Sequence, residues 1–350
     1  MRWKGAWIGL VAVVLGASGA GAADQAAARD AYAPLFLLYS GDPSPERLQG
    51  LRQFLQAENL PKEVIQDTID TVVYKLKTFK AGFAYPVYAS ETATTGNTCV
   101  VADSHYNMST QAIALMTSPR IHQYVLHGHT PDMDLQPVLD SVFEHEIFHC
   151  FDLMKQSQTE VGMQMARYGA PYFFYWSEVG ADAFAALKHL RNGGDKRLVR
   201  QIRDFRTLNL LNGDARHYTA PTLDYIVWHF DRQHLKTLNL RQLVALAQTI
   251  RERTALTPEE FMDIDTVAQR FEAQLKNLID GDVKVSAAGW QAPATVPDPE
   301  QVSQIMLQVR SALYNLGGDI STANRYFYPI MKRYYLPIQF RIAKAGIALD

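Results

Sequence analysis

The sequence predicts an α+β fold, predominantly α-helical, in which a small β-sheet precedes a long buried helix. Three observations predict it. Apolar residues recur at helical spacing from Pro137 to about residue 279, whereas residues 82 to 126 break into short β-like runs parted by turn residues. The composition, 350 residues with 47% hydrophobic and 20% charged, is that of an ordinary globular protein. A chain of this length buries a real core as one large domain or two modest ones.

The first residues, MRWKGAWIGLVAVVLGASGAGAAD, place Arg2 and Lys4 ahead of an apolar run and end it in small residues. This is the pattern of a secretory signal peptide over residues 1–23, cut after Ala22 or Ala23. Its apolar run of about a dozen residues falls short of the about 20 a membrane-spanning helix needs. The mature protein is therefore expected to be secreted or periplasmic, with no transmembrane segment after signal removal. Losing Arg2 and Lys4, with no acidic residue ahead of Asp24, takes the formal charge from −2 to −4. Such a balance argues against nucleic acid as a partner.

Residues 24–80 are expected to form an N-terminal helical segment. Leu48, Leu51 and Leu55 fall on one face, and Val64, Ile65, Ile69, Val72 and Leu76 on the next. A catalytic domain is then expected over residues 81–280. It begins with a sheet in 82–126, built on FAYPVYAS and NTCVVADS, and continues in helices over 137–156, 177–190, 196–211, 221–234, 238–253 and 258–279. Ser177 is read as an N-cap and Gly193-Gly194 as a helix stop. Residues 281–300, rich in Gly, Ala and Pro, read as a linker or surface excursion. Residues 301–350 read as a C-terminal helical segment. Its aromatic and basic stretch 326–344 is expected to pack on the core and is the one candidate contact for a protein partner. Cys99 and Cys150 are the two cysteines, and an oxidising compartment allows one disulfide between them.

The helix over 137–156 carries EHEIFHCFD, in which His145, Glu146 and His149 make the pattern H-E-x-x-H. On a helix His145 and His149 stand four apart on one stripe, so both imidazoles can share one metal ion. Neutral imidazoles suit Zn²⁺, and a zinc ion with an open position lowers the pKa of its water to about 7. Glu146 lies one residue round the turn, displaced from the ion yet near a water on it, which suits a general base. Glu146 and His149 also satisfy E-x-x-H of di-iron carboxylate proteins, but the second such motif that architecture needs is missing. Zinc needs a third ligand. On the next helix Glu178 and Asp182 are again four apart and can enter the same cleft, while Asp152 is a rival on the first helix.

H-E-x-x-H followed some 29 residues on by E-x-x-x-D resembles the gluzincin metallopeptidases, across residues 138 to about 190, roughly a seventh of the chain. The resemblance implies a zincin-like fold and one Zn²⁺ held by His145, His149 and Glu178. It makes Asp182 the carboxylate that accepts a hydrogen bond from a ligand imidazole. Asp152, three residues beyond His149 on nearly the same stripe, reads by its position as a further acceptor behind the imidazoles or as a surface charge. The resemblance implies hydrolysis of a peptide or protein substrate with Glu146 as general base, and it directs attention to His217 and Tyr218, in the loop 212–225, as stabilisers of the developing oxyanion. By the same resemblance CVVADSHYN, residues 99–107, is the candidate edge strand for extended substrate. The second helix reads S-E-V-G-A-D, which departs from the N-E-x-x-S-D of the thermolysin-like branch, and the longer metzincin motif is absent. The alternative function is a non-catalytic, zinc-stabilised binding module of the same fold. Glu144, His189 and the histidines at 105, 122, 127 and 129 read as solvated or packed groups.

Overall fold

The structure is a computed structural model, and it describes residues 35–39, 44–78, 82–103, 135–210, 213–278, 285–286 and 289–290. The expected signal segment, the histidines at 105, 122, 127 and 129, and the C-terminal segment 301–350 lie outside the described residues. The described part is mostly helical with a small sheet, as the periodicity predicts.

Two compact units divide the chain, the first comprising residues 1–108, 134–199 and 222–255 and the second 109–133, 200–221 and 256–350. The first unit opens with strand β1 (Leu35–Tyr39), then helices α1 (Pro45–Ala57) and α2 (Lys62–Thr78), then strands β2 (Gly82–Val87) and β3 (Thr98–Asp103). β1 corrects the expectation of an all-helical 24–80: LFLLY is an unbroken apolar run without helical period, and it pairs in parallel with β3 from Leu35 opposite Cys99 to Tyr39 opposite Asp103. β2 pairs with β3 antiparallel, so the order is β1-β3-β2.

β3 is thus the central strand, and the expectation that Cys99 onward forms an edge for substrate is wrong. Its backbone donors and acceptors are taken on both sides. The described edges are β1 and β2, and Pro86 in β2 suits an edge because it has no N–H to give. The pleat of β3 sends Val100 and Ala102 to one face and Cys99 and Val101 to the other, and all four are fully buried. On the first face lie Leu51 and Leu55 of α1, with Ile65, Ile69, Val72 and Leu76 of α2, in one core with Phe83 and Val87.

The opposite face receives helix α3 (Leu135–Leu153), the H-E-x-x-H helix. Cys99 of β3 and Cys150 of α3 form a disulfide across this contact, with Cα atoms 5.8 Å apart. The turn between β2 and β3 closes the C-terminus of α3: Tyr88 Oη donates to the Leu153 carbonyl at 3.1 Å and the Gly96 N–H to that of Met154 at 2.9 Å.

Helix α4 (Gln158–Tyr168) follows, absent from the predicted elements although Ser157 and Glu160 form a complete capping box at its start. Helix α5 (Ala170–Arg191) begins seven residues earlier than read, with Pro171 in its first turn. Ser177 is therefore not an N-cap; it lies inside the helix, buried. From Val179 to Leu187 every side chain of α5 is buried, as a helix packed on several sides requires. Its main neighbours are α3 and α9 (Leu240–Thr254), which offers Leu243, Val244, Ala247 and Ile250. The small residues of α5 permit close approach: a Cβ on Gly180 would fall 2.5 Å from the Phe148 ring.

Between them run α6 (Lys196–Asn209), α7 (Ala220–His229) and the short α8 (Arg232–Leu235), and the chain passes between the units within α6 and α7. The second unit contains helix α10 (Pro258–Leu278), where Phe261, Ile264 and Ala268 are buried. Gln269 of this helix donates to the Gly213 carbonyl. In the segment expected as a linker, β4 (Val285–Ser286) and β5 (Gly289–Trp290) pair antiparallel.

Candidate metal centre

Residues of α3 and α5 meet where the two helices pack. His145 and His149 are both buried, 7% and 9% exposed, and their rings stand edge to face with centroids 4.7 Å apart. Their Nε2 atoms are 3.0 Å apart. Glu178 reaches both, with Oε2 at 3.0 Å from His145 Nε2 and Oε1 at 3.4 Å from His149 Nε2. Among the described residues these three form a group able to hold a metal ion. A tetrahedral ion about 2.0 Å from each ligand sets them roughly 3.3 Å apart, the spacing found here.

The outer face of each imidazole is also fixed. The Asp182 carboxylate can only accept, so His145 Nδ1–H donates to its Oδ1, at 2.7 Å. That leaves the Nε2 lone pair facing the cluster. His149 Nδ1 lies 2.9 Å from Ser177 Oγ, which accepts from Nδ1–H when Nε2 serves as ligand. Glu178 and Asp182 stand on the stripe read from the sequence, and Ser177 enters it because α5 starts early.

Two lone pairs and a carboxylate this close need a positive charge among them. A proton is one answer. Burial opposes charge on His145, yet the Glu178 and Asp182 carboxylates outweigh it and push its pKa up to about 10. A divalent cation is the other answer, and the two compete for the same lone pair.

Glu146 is half-buried, next in sequence to His145, and packs against the start of β2. A Cβ on Gly82 would stand 3.2 Å from Glu146 Oε1 and 2.7 Å from Val142, so glycine is what lets strand and helix approach. The Lys75 amine of α2 lies over the rings of Phe83 and Tyr85. Burial lowers its pKa, while the negative charge of Glu146 raises it, so a cation stands within electrostatic reach of the expected base. Lys75 was not singled out in the sequence, where it is one more lysine on an amphipathic helix.

Other expected residues go elsewhere. Asp152 does not accept from an imidazole, because its carboxylate is taken by Arg251, Nη1 to Oδ2 at 2.6 Å and Nη2 to Oδ1 at 3.1 Å, with Gln248 at 3.3 Å. Glu144 pairs with Lys188. His189 Nε2 contacts the Asp195 carbonyl. His217 and Tyr218 belong to the second unit. There His217 Nδ1–H donates to Asp214 Oδ2 at 2.6 Å, and Tyr218 is buried. Burial raises Asp214, but the hydrogen bond and charge of His217, with Arg216 and Arg206, bring it below the ordinary carboxylate value. The sequence signal for this pair was the spacing D-x-x-H in the loop.

No known protein family, characterised protein or solved structure matches this chain, so the reading of the site rests on its own geometry.

Proposed function

We propose that this protein is a secreted or periplasmic zinc metallopeptidase. The observation that carries the reading is the convergence of His145, His149 and Glu178 at tetrahedral ligand spacing, with Glu146 beside them on α3. The donor set, two neutral imidazoles and one carboxylate, is that of catalytic zinc sites, and bound zinc there acidifies water and polarises a carbonyl. Asp182 and Ser177 orient the two imidazoles through their Nδ1 atoms. Glu146 holds the proton released at the attacking water on its carboxylate and delivers it to the leaving amine nitrogen. The Lys75 amine stands within electrostatic reach of Glu146.

The burial of both imidazoles, with the Glu178 side chain only 15% exposed, favours a second reading, a closed zinc site that stabilises a binding module. One substitution separates them. In Glu146→Gln, zinc content stays at about one equivalent while hydrolysis of an unfolded protein pool falls by at least ~10²-fold. Full activity in that variant, or a wild type that binds zinc and cleaves nothing across a broad peptide library, removes the peptidase reading.

A further inference from the structure

The metal site draws its ligands from α3 and α5, yet a buried, heavily hydrogen-bonded cation of the first unit comes from α9. Arg251 is only 7% exposed. Its guanidinium grips Asp152 of α3 through both terminal nitrogens, at 2.6 and 3.1 Å, and Gln248, one turn earlier on α9, adds a third hydrogen bond at 3.3 Å. The same guanidinium lies over the ring of Phe148, also on α3, at 5.8 Å and over Trp176 of α5 at 5.1 Å. A Cβ on Gly180 of α5 would stand 3.0 Å from its Nη1. Arg251 therefore touches both metal helices at once, where they cross.

The residues it touches are the sequence neighbours of the ligands. Phe148 precedes His149, Asp152 follows it by three, Trp176 precedes Ser177, and Gly180 lies midway between Glu178 and Asp182. Turning α3 about its axis would move Asp152 and His149 together, and turning α5 would move Trp176 and Glu178 together. A planar fork bound at two points tolerates neither rotation, whereas a lysine ammonium would tolerate both. A shift of about 1 Å in either helix would spoil spacings of the kind a tetrahedral ion demands.

We infer that Arg251 is a positioning residue of the metal centre: by clamping Asp152 against Trp176 and Gly180 it sets the rotation of α3 and α5 that brings His149 and Glu178 to ligand distance. The inference rests on the reading of the His145, His149 and Glu178 group as a metal site. Leu51 and Leu55 of α1 and the apolar residues of α2 form a core on the opposite sheet face, so a substitution there lowers stability without touching the Arg251 contacts.

The test measures affinity for Zn²⁺ and Co²⁺ by competition with a chromophoric chelator, together with the melting temperature, in the full chain. The variants are Arg251→Met, Arg251→Lys and Asp152→Asn, with Leu55→Ala in the other core as a control for destabilisation alone. Arg251→Met and Asp152→Asn lower affinity at least tenfold, Arg251→Lys does not restore it, and the double variant loses no more than either single. Leu55→Ala melts earlier but keeps wild-type affinity. If Arg251→Met does not fold, Asp152→Asn carries the comparison, since it keeps the side-chain size. Affinities within twofold of wild type, or an equal loss in Leu55→Ala, overturn the inference while leaving the metal site intact. A wild-type chain that takes up neither ion overturns both the inference and the reading beneath it.

Discussion

His145 holds its proton unusually tightly, and two measurable consequences follow. Its pKa in the folded, metal-stripped chain is about 10, against 6.5 for an ordinary histidine. A folded value above the unfolded one contributes stability that is fully present below pH 6.5 and is lost as pH rises toward 10. Metal-stripped protein should therefore melt progressively earlier across that window. Metal must displace the same proton, so zinc affinity should climb about tenfold per pH unit over it, with about one proton released per ion near neutrality. An indicator dye in weak buffer reads the release, and an affinity flat with pH contradicts the picture. The imidazole partners are as testable as the ligands. Ser177→Ala and Asp182→Asn should each reduce zinc affinity by about 10–100-fold with little change in melting temperature for the serine variant.

At the scale of elements, what the sequence disclosed depended on how local the cause was. The α3 helix could be read because its apolar face and the four-residue spacing of His145 and His149 lie within one stretch. The placing of Glu178 and Asp182 beside them needed only a second such stripe. Ser177 is ambiguous in the sequence because a cap residue is recognisable only once the start of its helix is known, and Pro171 is the competing start signal. The helix at Gln158–Tyr168 is legible in its Ser157 and Glu160 box but gives no core signal, since none of its residues is buried. β3 could not be recognised as central, because its second partner is β1, some 60 residues away, and parallel pairing leaves no turn signature. The Arg251 and Asp152 pair, 99 residues apart, is equally silent in sequence. Close contact between α3 and α5 makes Gly180 a sensitive point. In Gly180→Ala the added methyl meets the fully buried Phe148 ring. Overpacking of about 1–3 kcal/mol should exceed the helix-propensity gain of up to about 1 kcal/mol, giving an earlier melt by calorimetry. An unchanged or raised melting temperature would show that Phe148 can yield.

Across the first unit, the Cys99–Cys150 bond ties the central strand to the metal helix one residue beyond His149. It closes a loop with a sequence separation of 51, for which chain entropy alone gives about 4 kcal/mol. Replacing both cysteines by serine should lower unfolding stability by roughly 2–5 kcal/mol in denaturant titration, and a smaller loss would mean that the unfolded chain is already compact. The bond also determines how the molecule answers a protease. A single cut between Cys99 and His145 severs the backbone but not the molecule: the piece carrying β1, α1 and α2 stays covalently attached to the piece carrying every proposed metal ligand. Such nicked protein would run as one species on a denaturing gel until reductant is added, and then as two. In an oxidising compartment, processing of that segment would thus be invisible to the metal site, and the thiol balance of the surroundings would decide when the two halves part.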